Sequence, residues 1–283
     1  MSKYYFLNFL LLCIKGYYFT TTTGNNHEMN GIGLNTQEGY SIIKFSSEFS
    51  IDWNPNTKDS LIAVWPGLEP WGTCLYPINY GVLQPVLAYG YSCAKYIPKK
   101  YNQWWISGQY INTNLNCNHV PKEFSKECEF YYTNDTCNNV GKYLLVPLNE
   151  LIYTSLFFEE NNGLWNQTIR ILDKEVDFSI KLNYCSKNSD KNTKVIRQQQ
   201  EQNSAVFFIE TYNYSKPIKQ EFKNINIQIK LKQSNTSQTC DDILTLNKFN
   251  ISFHKCYPMV TNYEYIDDNI LSCFIKKCMI ARN

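Results

Sequence analysis

Residues 224–231 read Asn-Ile-Asn-Ile-Gln-Ile-Lys-Leu, with every second position apolar. That period of two buries one face of a strand and leaves the other in water. Residues 165–172, Trp-Asn-Gln-Thr-Ile-Arg-Ile-Leu, follow Asn161-Asn162-Gly163, a sequence suited to a hairpin turn. Runs rich in β-branched and aromatic residues recur, separated by Asn, Gly, Pro and Asp. They predict strands over 41–49, 61–65, 82–89, 104–110, 143–146, 152–158, 165–172, 177–182, 206–211, 225–231 and 249–253. Short strands at such spacing predict an all-β protein, a two-sheet antiparallel β-sandwich. No amphipathic pattern exceeds three helical turns, and no internal repeat is present. Residues 20–35 are polar and predict a loose lead-in. Residues 114–139 hold three cysteines among polar residues and predict a disulfide-stapled loop. Residues 186–204, with Gln198-Gln199-Gln200, read as a solvated loop; a lid or an internal cut site before the 206–211 strand is the sharper alternative.

The leader and the cysteines set the compartment. Lys3 followed by the apolar stretch 6–14 resembles a secretory signal within residues 1–20, too short to span a bilayer; a buried N-terminal strand is the competing reading. Ten further cysteines follow Cys13: Cys74, Cys93, Cys117, Cys128, Cys137, Cys185, Cys240, Cys256, Cys273 and Cys278. An even set in an exported chain points to disulfides whose connectivity the sequence does not give. No C-x-x-C spacing occurs and His27, His119 and His254 are scattered, so no metal site is expected. Sequons at Asn134, Asn166, Asn213, Asn235 and Asn250 predict glycosylation of exposed positions. The expected organisation is a sandwich over 38–232 and a cysteine-rich extension, 233–283, packed upon it. The chain is then secreted, with no membrane span and no predicted oligomeric state.

Composition adds two constraints. Net charge is +2 and no basic stripe is present, which argues against nucleic acid as a partner. Aromatics make up 16% of the chain, with 22 tyrosines. Such side chains favour strands and also line peptide- or glycan-binding grooves, although a bias in nucleotide composition would enrich Tyr, Asn, Ile and Lys equally.

Familiar catalytic motifs are missing: no G-x-S-x-G, no H-E-x-x-H, no phosphate loop. The paired-carboxylate strand of sandwich glycosidases is missing too; its nearest counterpart, Glu127-Cys128-Glu129, falls in the cysteine-rich loop. What stands out is an ordered set of phrases: Ala63-Val64-Trp65-Pro66-Gly67-Leu68-Glu69, Gly81-Val82-Leu83-Gln84-Pro85-Val86-Leu87, Asn102-Gln103-Trp104-Trp105-Ile106, and Ala205-Val206-Phe207-Phe208-Ile209-Glu210. In these the chain resembles secreted concanavalin-like sandwich proteins that are themselves similar to the glutamic peptidases (eqolisins). The resemblance covers roughly residues 41–231 and implies a concanavalin-like jelly roll.

It also implies a site. Gln84 matches the family's catalytic glutamine and Glu210 its catalytic glutamate. Trp65, Glu69, Trp104 and Trp105 would line a substrate groove, no cofactor being required. The chain departs from the peptidases at Ile106, where they carry an acidic residue two positions after the tryptophan matched by Trp104. It departs again at Pro85 and at Glu69, which stands in place of aspartate. Three readings stay open: an acid endopeptidase, a non-catalytic protein that binds a polypeptide or glycan through the same aromatics, and a structural surface or matrix protein. In the last, Gln84 and Glu210 are ordinary structural residues and Trp65 and Trp104 are core.

Overall fold

The computed structural model describes residues 27–37, 39–55, 61–69, 81–89, 102–112, 140–180, 202–212, 214, 216–231, 237–249, 253–257 and 262–282. The strands are β1 (His27–Thr36), β2 (Ser41–Phe49), β3 (Leu61–Glu69), β4 (Gly81–Tyr89), β5 (Trp104–Asn112), β6 (Val140–Leu145), β7 (Ile152–Glu159) and β8 (Leu164–Ile171). They continue as β9 (Lys174–Ile180), β10 (Ser204–Tyr212), β11 (Ile218–Lys230), β12 (Leu244–Phe249), β13 (Phe253–Tyr257), β14 (Asn262–Asp267) and β15 (Ile270–Arg282). One short helix, α1 (Cys240–Ile243), precedes β12. The first sheet runs β12-β1-β10-β3-β4-β5-β6 and the second β13-β15-β11-β2-β7-β8-β9, with β14 also pairing β15. The two antiparallel sheets pack as the sandwich that the alternation predicts.

The alternating residues meet between the sheets. Phe45 of β2 sets its ring edge-on to Phe207 of β10 at 5.3 Å, and Phe207 meets Phe222 of β11 at 4.7 Å. Ile225, Ile227, Ile229 and Leu231 are buried in the same core, as their spacing requires. At the other end the sheets are tied by a polar clamp. The Gln167 side chain of β8 donates to the Gln109 carbonyl of β5 at 2.7 Å and accepts from the Gln109 N–H at 3.3 Å. That N–H and C=O are accessible because the β5–β6 ladder shifts register between Ser107 and Gln109. Neighbouring Gly108 makes room: a Cβ there would stand 2.9 Å from the Phe178 Cβ.

The β7–β8 hairpin turns at Asn161-Asn162-Gly163 as expected, with Gly163 at φ 68°. The Asn162 carboxamide accepts from Leu164 N at 3.1 Å. Observed strands extend several predicted ones; β3 runs to Glu69 and β11 starts at Ile218. The loose lead-in over 20–35 is corrected from His27 onward, where β1 runs between β10 and β12. Its polarity and two glycines hid it. Gly31 is there because a Cβ would come within 2.3 Å of the Phe208 ring, a close approach only glycine permits. The strand expected over 249–253 lies where β12 ends and β13 begins. Within the extension expected over 233–283, β12 joins the edge of the first sheet and β15 lies alongside β11. The leader, the 114–139 loop, residues 186–201, Asn134, Asn213, Asn235, Asn250 and Cys74, Cys93, Cys117, Cys128, Cys137 and Cys185 lie outside the described residues.

A buried disulfide, Cys240–Cys273, ties α1 to β15 across 33 residues of chain. Cys278 is disulfide-bonded as well, and the β13–β15 register sets Cys256 opposite it. A loop of this size is restrained in the unfolded chain by about 4 kcal/mol. The double substitution Cys240→Ala/Cys273→Ala is expected to lower unfolding free energy by roughly that amount in a urea titration. An unchanged midpoint would show that the bridge adds nothing to stability.

Candidate functional site

The central strands of the first sheet are buried on both faces. Strands β3, β4 and β10 read as almost unbroken apolar runs, Leu61-Ile62-Ala63-Val64-Trp65, Val82-Leu83-Gln84-Pro85-Val86-Leu87 and Ala205-Val206-Phe207-Phe208-Ile209, the pattern of strands covered on two sides. Ile62, Val64, Leu83, Leu87, Phe207 and Ile209 enter the inter-sheet core. Their neighbours Ala63, Trp65, Val82, Val86, Ala88, Trp105, Val206 and Phe208 form a second apolar cluster on the outer face. Trp65 and Phe208, opposite each other in the β3–β10 ladder, hold their rings 4.7 Å apart.

Polar groups are set into this outer layer. Glu210 follows Val206 and Phe208 in alternation, so its carboxylate shares their face; its Oε2 accepts a hydrogen bond of 3.3 Å from the Trp65 indole N–H. Gln84 lies between Val82 and Val86 on the same face, and both Gln84 and Glu210 are buried. Gly67 is the spacer between Trp65 and Gln84. A Cβ on it would meet Trp65 Cε3 and Gln84 Cβ, each at 3.3 Å, and the Leu83 carbonyl at 2.9 Å. The indole therefore stands between the two polar side chains, its N–H toward Glu210 and its benzo edge toward Gln84.

The register fixes how far apart they are. Glu210 is opposite Ala63, which is opposite Ala88; Gln84 falls on the row of Gly67 and Val206. The offset is two strands and four residues, about 10 Å across and about 13 Å along in an ideal lattice. Between those rows the β3–β4 ladder is interrupted: partners are paired at Ile62–Val64 and again at Leu68. The unbroken register puts Pro66 opposite Pro85, and neither has an N–H to donate. The departure at Pro85 is thus matched by a proline on the neighbouring strand, and the interruption lies directly beside Gln84.

Glu69 is at the end of β3 on the same face, opposite Ser204 of β10. It is 3% exposed, and burial pushes its carboxyl up to about 7. Ser204 in turn donates from Oγ to Asn35 Oδ1 of β1 at 2.6 Å.

Trp65, Glu69, Gln84, Trp105 and Glu210 are therefore brought to one face. Trp104 is not: strand alternation sends it into the inter-sheet core, where its indole donates to the Trp53 carbonyl at 2.9 Å. Ile106 points into that core with it. The outer positions of β5 are Trp105, Ser107 and Gln109, the Gln109 amide donating to Ser107 Oγ at 3.0 Å. Sequence reasoning passed over Ser107, Gln109, Ser204 and Asn35. The two-residue alternation of β5 and β10 would have found three of them once the strands were fixed. A cavity of ≈ 300 Å³ lies elsewhere, lined by Phe49, Asp52, Lys219, Glu221 and Lys223 among others, and holds none of the expected site residues. Asn166 sits in β8, donating to Glu159 and accepting from Ser179 Oγ.

No family model matches the sequence, and no curated protein matches it. Among solved structures, the chain is similar to Scytalido-glutamic peptidase with a peptide-based transition-state analog, at 11% identity and a TM-score of 0.44, over 88% of this chain and 98% of that one. It is similar also to SCP-B, a member of the eqolisin family of peptidases, in complex with the tripeptide Ala-Ile-His, at 11% identity and a TM-score of 0.40, over 88% and 98%. The Emp47p carbohydrate recognition domain is similar at 12% identity and a TM-score of 0.31, over 92% and 81%. Similarity at this level adds nothing to the reading of the site, which stands on its own geometry.

Burial of Glu69 has a thermodynamic consequence. Its carboxyl is neutral in both folded and unfolded chains below pH 4.5; from there to about 7 the unfolded chain ionises while the folded chain holds the proton. The folded state is thus favoured in acid and loses about 3 kcal/mol as pH rises through that window. Glu69→Gln is expected to flatten this dependence and to raise stability at pH 7.5 relative to pH 4.5. Parallel stability–pH profiles of parent and variant would show the carboxyl to be ordinary.

Proposed function

We propose that the outer face of the first sheet is the active site of an acid endopeptidase, with Glu210 as general base and acid and Gln84 as its partner. The observation that carries this is the Trp65–Glu210 hydrogen bond on the face that also bears Gln84. An indole N–H holds the carboxylate in one orientation, which is what a proton-transfer group needs. The carboxylate takes a proton from water as the water oxygen attacks the peptide carbon. The Gln84 amide donates to the oxygen that gathers negative charge. Collapse of the tetrahedral intermediate breaks the C–N bond, and the protonated Glu210 returns its proton to the leaving nitrogen. No cofactor takes part.

Two side chains of about 5 Å each leave about 6 Å or more of a backbone separation of about 16 Å, with the Trp65 indole between them. In this reading the attacking water at Glu210 and the substrate carbonyl at Gln84 together fill that gap over the indole, and no single water bridges the two residues. Gln84 and Glu210 are both buried, at 4% and 6% exposed, so the reading requires a substrate to displace what covers this face. Shielding strengthens charge stabilisation once water is expelled. A non-catalytic glycan platform is the less supported reading, because the indole-oriented Glu210 carboxylate gives this face a proton-transfer group, whereas the rings of Trp65 and Trp105 are as shielded as the proposed catalytic pair. We extend the reading to export, signal cleavage within residues 1–20, disulfides among the remaining cysteines and glycosylation at the five sequons. The Cys240–Cys273 bridge agrees with an oxidising compartment, and among the described residues no helix is long and apolar enough to cross a membrane.

The purified mature chain is expected to cleave a denatured protein between about pH 3 and 5, where a single carboxyl can take a proton and give it back. Glu210→Gln should abolish cleavage. Trp65→Phe, which keeps an aromatic ring but removes the N–H with the pyrrole half of the indole, should lower kcat by roughly 10- to 100-fold with little change in KM. A folded parent without activity would sink the proposal, as would a Glu210→Gln variant as active as the parent.

A further inference from the structure

A second polar row crosses the same face one step beyond Gln84. Asn35 of β1 is opposite Ser204 of β10, and Ser204 is opposite Glu69 of β3. Continuing the β3–β4 register sets Glu69 beside Val82, two residues from Gln84. Asn35 is 5% exposed, Ser204 0% and Glu69 3%. The three have no part in the proton transfers assigned to Glu210.

Their hydrogen bonding is incomplete in a particular way. The Asn35 carboxamide oxygen is taken by the Ser204 hydroxyl at 2.6 Å. That bond fixes the orientation of the amide and sends Nδ2 away from Ser204, and Asn35 Nδ2 is a buried donor without a partner. Leaving such a donor unmade is unfavourable, so the position calls for an acceptor. The Ser204 oxygen, having given its proton to Asn35, keeps lone pairs to accept with. Opposite residues in an antiparallel ladder hold their Cβ atoms about 5 Å apart, which places the Glu69 side chain next to Ser204. Burial keeps the Glu69 carboxyl protonated into the neutral range, so it offers one donor and one acceptor and no net charge.

We propose that Asn35, Ser204 and Glu69 form a subsite for a neutral amide group, a primary carboxamide or the peptide unit of an extended chain. The amide oxygen accepts from Asn35 Nδ2 and the amide N–H donates to the free lone pair of Ser204 Oγ, with the Glu69 carboxyl on the far side of Ser204. A carboxylate ligand is disfavoured beside a second carboxyl, and an ammonium ligand by the lack of a compensating charge among the three residues. The natural ligand rests on the reading of this face as peptide-binding: a polypeptide reaching past Gln84 toward β1 would place a backbone or Asn/Gln side-chain amide here. The row meets β12 at Thr245, opposite Asn35 and exposed, so such a chain could leave the sheet on that side.

The test needs no turnover. Propionamide is titrated into the full chain at pH 5 while the Glu69 carboxyl is followed by carbon NMR, with butanone, which has the carbonyl but no N–H, as the comparison probe. Saturable shifts of the Glu69 signal with propionamide, at least 10-fold weaker with butanone, are expected. Asn35→Leu should weaken propionamide at least 10-fold, and Glu210→Gln should leave it unchanged. Equal response to the two probes, no saturation, or an Asn35→Leu protein that is folded and binds as the parent does would overturn the proposal; so would occupancy of the site by water that propionamide does not displace. Amide binding by a chain that cleaves nothing would refute the peptidase and leave this subsite standing. Cleavage without amide binding would do the reverse.

Discussion

The double burial of β3 and β10 is the constraint on which the rest of this structure depends. One set of their side chains joins the sheets; the other builds an apolar layer around Trp65 and Phe208. A strand covered on both faces cannot slip by one residue without exchanging its two apolar sets, so its register is held tightly. That rigidity is what allows a hydrogen bond such as Trp65 to Glu210 to persist in an apolar setting, where breaking it would leave the carboxylate without the N–H that orients it.

Space in the layer is made by omission. Gly31 lets β1 lie against the Phe208 ring, and Gly67 lets Gln84 sit beside the Trp65 indole; in each case a Cβ would collide with backbone. Pro66 and Pro85 omit donors rather than atoms. Each is a poor residue for a central strand taken alone. Opposite one another they put both missing N–H groups at one point of the β3–β4 ladder, so the loss is confined to a single interruption. The cost is a ladder interrupted for a few residues, and it falls beside Gln84 rather than at random along the strand.

The polar groups on this face differ in how they tolerate burial. Glu210 is bonded by an indole, whereas Glu69 is dominated by desolvation and holds its proton. Desolvation thus sets one carboxyl of this face, Glu69, to hold its proton toward neutral pH. It also aligns stability with acidity, since the folded chain tolerates Glu69 best when that group is neutral.

The local pattern determined much of this. Alternation of Ile225, Ile227, Ile229 and Leu231 and the turn at Asn161-Asn162-Gly163 predicted a sandwich of antiparallel strands, because period and turn chemistry are local properties. The phrases around Trp65, Gln84 and Glu210 identified strands whose odd or even positions now share a face. The sequence misjudged β1, whose glycines read as a break until the Phe208 ring they accommodate is in place. It grouped Trp104 with Trp105, which adjacent positions on a strand forbid. The pairing of Pro66 with Pro85, the Gln167 clamp, and the row from Asn35 through Ser204 to Glu69 could be decided only by tertiary structure. Each depends on which strands become neighbours and in what register, and those neighbours lie from 19 to 169 residues apart in the chain.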